Sequence, residues 1–188
     1  ATAPLPEISQ ALKRVEPRKG YQTETDIVLK GQRYLVMVES KLGKPGAQIR
    51  AWERTSSSPV PAPYKAHLRA LLADMSDWQK TMRRFYQLLR HLVLANELCW
   101  PEGWDLEPHL LAIVNELNRH AGLRSHAQEF AHFRQCLRLP SDRTHLVTWQ
   151  VLLTQARATF DPGVRPLLAH AERLRYLQPL EEPRYDEL

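Results

Sequence analysis

Two carboxylates and a lysine near the start of the chain have the types and spacing of a metal-assisted hydrolytic site. Asp26 and Glu39 are separated by twelve residues, and Lys41 follows Glu39 by two positions. Carboxylate oxygens are the ligands that Mg²⁺ prefers, and Mn²⁺ can take its place. Such a cation polarises a phosphoryl oxygen and makes a water molecule more acidic. Lys41 would orient that water or stabilise charge in the transition state.

The elements that must position these residues are predicted to be two strands of a hairpin. Residues 25–29 and 34–38 are β-branched, apolar runs joined by Lys30-Gly-Gln-Arg33. Glycine at the first central position is typical of a type II′ turn, which predicts a turn at Gly31-Gln32. Both runs are apolar on both faces, which indicates a sheet covered on two sides.

In this register the acids gather at the end of the hairpin away from the turn. Glu39 lies opposite Glu24, and the side-chain period of two puts Glu24, Asp26, Glu39 and Lys41 on one face. Asp26 and Glu39 are then diagonal neighbours, with Cα atoms about 7–8 Å apart. The alternative is a surface hairpin in which Lys41 forms a solvated ion pair with Glu24 or Glu39.

The same residues resemble the D…E-x-K signature of the PD-(D/E)XK nuclease superfamily, over about twenty residues. The matching segments are Thr25-Asp26-Ile-Val-Leu and Glu39-Ser40-Lys41, with Thr25 where the pattern often has proline. The resemblance implies a restriction-endonuclease-like fold, a mixed sheet flanked by helices in αβββαβ order, and Mg²⁺-dependent hydrolysis of DNA phosphodiesters. It makes Asp26, Glu39 and the backbone carbonyl of Ser40 metal ligands, and Lys41 the catalytic lysine.

Many members of this superfamily add a glutamate from the first helix to the metal site. A helix is predicted over residues 4–16, because apolar residues recur there at helical spacing: Ile8, Ala11, Leu12 and Val15. Glu7 or Glu16 could supply that glutamate, and Glu7 is preferred.

Residues that could contact the substrate lie mainly on one predicted helix, residues 77–99, with Asp77 as its N-cap. Its apolar stripe is Met82, Phe85, Leu89, Leu92 and Val93, and its basic and polar residues are Lys80, Arg83, Arg84, Gln87, Arg90 and His91. The polar side is either a solvated face or a phosphate-contacting one. Gln87 or Arg90 could approach the metal site, and Trp52 could stack on a base.

The whole chain is predicted to be one α/β domain, residues 1–188, with a small mixed sheet flanked by helices. It consists of a core hairpin, residues 21–42, and a helix-rich remainder, residues 65–188. Apolar patterning predicts helices over 65–75, 125–137, 149–158 and 166–177, and a strand over 145–148. Residues 109–115 fit either a buried strand or a helix extended by Glu116-Leu117, and the strand is preferred.

Composition bounds the function. The two cysteines among 188 residues indicate a reducing compartment, so we expect a cytoplasmic protein with no membrane segment. Residues 1–58 hold ten Lys and Arg against six Asp and Glu, whereas residues 59–188 hold sixteen against fifteen. The surplus positive charge therefore surrounds the acidic motif, as a phosphate-binding site requires.

The sequence thus predicts a Mg²⁺-dependent nuclease that contacts the DNA backbone and cleaves endonucleolytically. One alternative is an inactive nucleic-acid-binding or protein-interaction module on the same fold. The other is a nuclease acting on RNA or branched substrates. The protein could act as a homodimer.

Overall fold

The computed structural model describes residues 6–16, 27–41, 60, 62–99, 103–114 and 126–158. This part of the chain is mixed α/β, as predicted, with six α-helices and four strands. In chain order these are α1 (Pro6–Val15), β1 (Ile27–Lys30), β2 (Tyr34–Lys41), α2 (Tyr64–Leu71), α3 (Trp78–Arg84), α4 (Tyr86–Cys99), β3 (Glu107–Val114), α5 (His126–Gln135), β4 (Thr144–Thr148) and α6 (Trp149–Ala158).

The strands form one mixed sheet in the order β1-β2-β3-β4. β1 is antiparallel to β2, while β2, β3 and β4 run parallel to one another. Both strands predicted in the second half of the chain are confirmed as β3 and β4. That half, predicted to be helix-rich, therefore contributes two strands to the sheet as well as α5 and α6.

The hairpin between β1 and β2 forms, but its predicted register is wrong by two residues. Val38 pairs with Ile27 instead of residue 25. The backbone N–H of Gly31 donates to the carbonyl of Tyr34 at 2.8 Å, so the two-residue loop is Gln32-Arg33. Gly31 does not adopt the left-handed φ that a type II′ turn requires at its first central residue. A shift of two residues leaves each side chain on its predicted face.

One face of the sheet carries the core. Leu35 and Met37 of β2 and Leu110 and Ala112 of β3 are fully buried on this face. Helix α4 packs against both of these strands and also against α1 and α2. It therefore lies at the centre of the molecule, and every residue from Leu88 to Ala95 is buried.

The opposite face is covered unevenly among the described residues. Val38 and Ile113, on the two central strands, are buried there. Ile27 and Leu29 of β1 are 48% and 52% exposed, and Tyr34 at the start of β2 is 43% exposed. The predicted two-sided coverage therefore holds for the central strands and is wrong for the edge strand β1.

The single helix predicted over residues 77–99 is two helices, α3 and α4. They meet at Phe85, whose backbone (φ −117°, ψ 33°) is not helical. The Phe85 ring is buried against Phe133, with ring centroids 5.4 Å apart, so a core contact holds the break in place. Asp77 precedes α3 but makes no capping hydrogen bond with its side chain, contrary to prediction.

The other helices predicted within the described residues form with shifted ends, and α6 has the predicted bounds. Helix α2 ends at Leu71, earlier than predicted, because Leu72 is extended and bridges to Leu137. The helix predicted over 166–177 lies outside the described residues. Residues 17–26 also lie outside the described residues. The αβββαβ order would need one further strand in this segment, between α1 and β1. Within the described ranges, no helix combines the length and the apolar character needed to cross a membrane.

Candidate active site

Glu39 lies near the carboxyl end of β2, on the face of the sheet that packs against α4. Strand alternation puts it on the same face as the buried Leu35 and Met37, and Glu39 itself is only 6% exposed. It pairs with Ala112 of β3 in the parallel ladder. Because a buried carboxylate without partners is costly, the identity of its partners decides what it can do.

One partner of Glu39 is His91 of α4, which the sequence predicts to lie with the basic and polar residues of that helix. The Nε2 atom of His91 lies 2.5 Å from Oε2 of Glu39, and both side chains are buried. When the carboxylate is ionised it can only accept hydrogen bonds, and Nε2 is then the donor. The other ring nitrogen, Nδ1, is buried and has no hydrogen-bond partner in the part of the chain that the structure describes.

The remaining residues of the predicted centre are described only in part. Lys41 is the last residue of β2 and pairs with Val114, and the structure describes its backbone only. Ser40, whose carbonyl is the predicted third ligand, is half-buried and pairs with Ile113. The other predicted residues, Asp26, Glu24 and Trp52, lie outside the described residues.

The two glutamates considered for the first helix lie in very different environments. Glu7, the preferred one, is exposed in the first turn of α1. Glu16, directly after the helix, is 2% exposed. The two are nine positions apart in the chain, which corresponds to about 13 Å along the helix axis.

Glu16 is the centre of a buried network that joins α1, α2 and α4. The guanidinium of Arg90 donates to it from Nε at 2.5 Å and from Nη2 at 3.2 Å. The hydroxyl of Tyr64 donates to the same carboxylate. Burial and the charge of Glu16 raise the pKa of Tyr64 far above its ordinary value, so the phenol stays protonated. Both oxygens of Glu16 are therefore bonded within the protein.

The predicted substrate-contacting residues of α3 and α4 are divided between surface and interior. Arg83 is exposed. Arg84 forms a bidentate ion pair with Glu129, at 2.9–3.2 Å, and its guanidinium lies over the ring of Phe85. Arg90 is buried in the pair with Glu16, so it is placed for an internal ion pair and not for an exposed phosphate contact. The predicted basic face is therefore not one continuous surface.

Gln87 is half-buried one helical turn before His91. Its Oε1 atom is buried and has no hydrogen-bond partner among the described residues. Residues four apart lie on the same side of a helix, so Gln87 and His91 share one side of α4. That side also carries the contact with Glu39.

The donor set at this end of β2 fits a hard divalent cation in its chemistry. Glu39 and the carbonyl of Ser40 are oxygen donors, and a hydrogen bond from His91 is the usual way in which a ligating carboxylate is oriented. Among the described residues no group of three or more His, Cys, Asp or Glu is arranged to hold a metal. A cation site here therefore needs Asp26, which the sequence pattern supplies and the structure does not describe.

Sequence reasoning missed His91 and the role of Arg90, although a signal for both was present. They interrupt the run Leu-Leu-Arg-His-Leu-Val-Leu-Ala, residues 88–95, which is apolar on all sides of a helix. A helix of that kind is buried, and polar residues within it need internal partners. The pattern therefore predicts buried pairs and not a solvated basic face.

Comparison with known proteins returned no match to a family model, to a curated protein or to a solved structure.

Proposed function

We propose that this protein is a metal-dependent nuclease that hydrolyses phosphodiester bonds in DNA endonucleolytically, with Asp26, Glu39 and Lys41 as its catalytic residues. The observation that carries the proposal is the position of Glu39. It is a buried carboxylate at the carboxyl end of a central strand, and the D…E-x-K spacing is centred on that strand. Ligands of α/β sheets bind outside the carboxyl ends of parallel strands, and β2 and β3 are parallel.

The order of the described elements supports the same proposal. Helix α1 precedes a hairpin, the E-x-K segment ends its second strand, and α2, α3 and α4 lie between that strand and the parallel β3. Apart from the two additional helices, this is compatible with the part of the αβββαβ order that falls within the described residues.

The observed register would bring the two acids closer together than the predicted one. The last pair among the described residues is Ile27 with Val38, and Asp26 and Glu39 are the next residues along each chain segment. A ladder longer by one pair would set them directly opposite each other. Directly opposed side chains have Cβ atoms about 4.5–5.5 Å apart, close enough to share one cation.

In the proposed site the residues have distinct tasks. Asp26, Glu39 and the backbone carbonyl of Ser40 would hold Mg²⁺, which when bound neutralises charge on the scissile phosphate. Lys41 orients the attacking water and stabilises the negative charge that develops on the phosphoryl oxygens. Glu16 is excluded from the ligand set in this conformation, because Arg90 and Tyr64 bind its carboxylate.

The test is cleavage of supercoiled plasmid, single-stranded DNA and RNA in the presence of Mg²⁺, Mn²⁺ or EDTA. We expect metal-dependent nicking and linearisation of plasmid by the wild-type protein. Lys41→Ala should reduce the rate by about 10²–10³-fold, the loss typical of removing one group that stabilises transition-state charge. Lys65→Ala, at an exposed position of α2, is the matched control and should cleave like wild type.

Absence of cleavage with every metal and substrate would favour the inactive binding module on this fold. Cleavage confined to RNA would favour the alternative substrate class. Equal rates for wild type and Lys41→Ala would contradict the assigned mechanism.

A further inference from the structure

His91 is a buried polar residue in the middle of an apolar helix. Its side chain is 2% exposed, and its neighbours on either side in α4 are the buried Arg90 and Leu92. The imidazole reaches across the interface between α4 and the sheet to the carboxylate of Glu39, fifty-two residues away in the chain. Replacing such a pair by apolar residues is often neutral or stabilising, so its burial alone is weak evidence that it serves stability.

The contact has a definite chemical effect on Glu39. Donation from Nε2 fixes one oxygen of the carboxylate and so restricts rotation about its last side-chain bond, which is otherwise broad. A carboxylate has about four lone-pair sites, so a bond from His91 does not prevent it from binding a cation. The same bond fixes which nitrogen of His91 carries the proton when the ring is neutral.

The side of α4 that contacts Glu39 carries two further buried polar atoms. Nδ1 of His91 and Oε1 of Gln87 are both buried without a hydrogen-bond partner in the described part of the chain. Buried polar atoms in folded proteins nearly always have a hydrogen-bond partner, so these two call for an explanation.

We propose that His91 is a positioning residue of the metal site: its Nε2–H holds the Glu39 carboxylate in the orientation that binds the divalent cation. This inference rests on the proposed function, because it assigns Glu39 as a ligand. It adds to that function a residue outside the D…E-x-K motif, supplied by α4 from the core side of the sheet.

The test is the affinity of the metal-free protein for Mn²⁺, measured by electron paramagnetic resonance of the free ion, with folding checked by circular dichroism. His91→Leu removes the donor. His91→Asn keeps a polar side chain that is too short to reach Glu39, and His91→Gln keeps an N–H donor near the position of Nε2. We expect the Leu and Asn variants to bind Mn²⁺ about 10–100-fold more weakly, and the Gln variant to regain most of the affinity.

The matched control is His67→Leu, which breaks another histidine–glutamate pair, His67 with Glu97 at 3.1 Å, away from the site. It should bind Mn²⁺ like wild type. If His91→Leu does not fold, the comparison of the Asn and Gln variants decides the question.

Two results would contradict the inference, and they have different consequences for the proposed function. If His91→Asn binds Mn²⁺ as tightly as wild type while Glu39→Gln does not bind it, His91 does not position the ligand, and the proposed function stands. If wild type does not bind Mn²⁺, or Glu39→Gln binds it equally well, the proposed function fails and this inference fails with it.

Discussion

Two buried glutamates, Glu16 and Glu39, are bound by consecutive residues of α4, and their partners differ in kind. Arg90 brings a permanent charge and two hydrogen bonds to Glu16, whereas His91 brings a single donor to Glu39. Arginine matches a carboxylate in charge and geometry, and the two groups therefore form a stable internal ion pair. Glu16 is therefore bound within the protein, and the proposed metal site uses Glu39 as its ligand and not Glu16.

The Arg90–Glu16 pair gives a prediction about stability. Burial lowers the pKa of Arg90, but the hydrogen bonds and charge of Glu16 outweigh it and raise that pKa above its ordinary value, so the pair is charged. Arg90→Met leaves the Glu16 carboxylate buried without its counter-charge. We expect the free energy of unfolding, measured with urea, to fall by about 3–5 kcal/mol.

Arg84→Met is the matched control, because Arg84 pairs with Glu129 at the surface, where both side chains are about one-third exposed. Its cost should be about 1 kcal/mol or less. Equal losses in the two variants would show that the Arg90 pair is not the internal support described above.

His109 gives a prediction about pH. Its ring contacts Tyr34 and stacks on His145, with ring centroids 5.1 and 5.8 Å away. Partial burial, then His145 and Arg143, lower the pKa of His109 below its ordinary 6.5, while Glu107 and Asp142 oppose them. The folded state therefore favours the neutral ring, and this contribution to stability is present above pH 6.5 and is lost as the pH falls through the lowered pKa.

We expect the His109→Gln variant to lose less stability than wild type between neutral pH and about pH 5, because its side chain does not titrate. The midpoint of urea unfolding at several pH values checks this. A midpoint that falls equally in both proteins, or an NMR titration of His109 above 6.5, would contradict it.

At the scale of the elements, the hairpin has one strand that is built into the core and one that is not. Leu35 of β2 is fully buried, whereas Leu29 of β1 is 52% exposed. Leu35→Ala should reduce the free energy of unfolding by about 2–5 kcal/mol, because it leaves a cavity against α4. Leu29→Ala, the matched change on the neighbouring strand, should cost about 1 kcal/mol or less. Similar losses in chemical denaturation would mean that β1 is packed on its second face.

Local patterns predicted the elements well wherever one signal dominated. The bounds of α6 needed no information from distant residues, whereas the apolar run of β3 fitted a helix as well as the strand that forms. The register of the hairpin was missed because glycine at position 31 suggested a turn type that its backbone does not adopt. The break at Phe85 was missed because that residue continues the apolar stripe of both helices while its own backbone leaves the helix to reach Phe133.

At the scale of the whole molecule, α4 connects the candidate site to the rest of the fold. It contacts β2, β3, α1 and α2, so the side chains that bind Glu16 and Glu39 come from one rigid element. The position of Glu39 on the core face could be predicted from strand periodicity. Its pairing with His91 could not, because fifty-two residues separate the two and only the packing of α4 on the sheet brings them together. The Arg90–Glu16 pair, whose residues are seventy-four positions apart, could not be predicted from the sequence for the same reason.

The central claim is that Glu39 is a functional acid, and a comparison of two glutamate variants tests it most directly. Glu39→Gln removes the charge from the proposed metal ligand while keeping an oxygen that can accept from His91. Glu97→Gln makes the same change in α4, at a residue that pairs with His67 and Arg14. In a Mg²⁺-dependent plasmid cleavage assay, we expect Glu97→Gln to cleave like wild type and Glu39→Gln to lose cleavage while remaining folded. Wild-type cleavage by a folded Glu39→Gln protein would contradict the account.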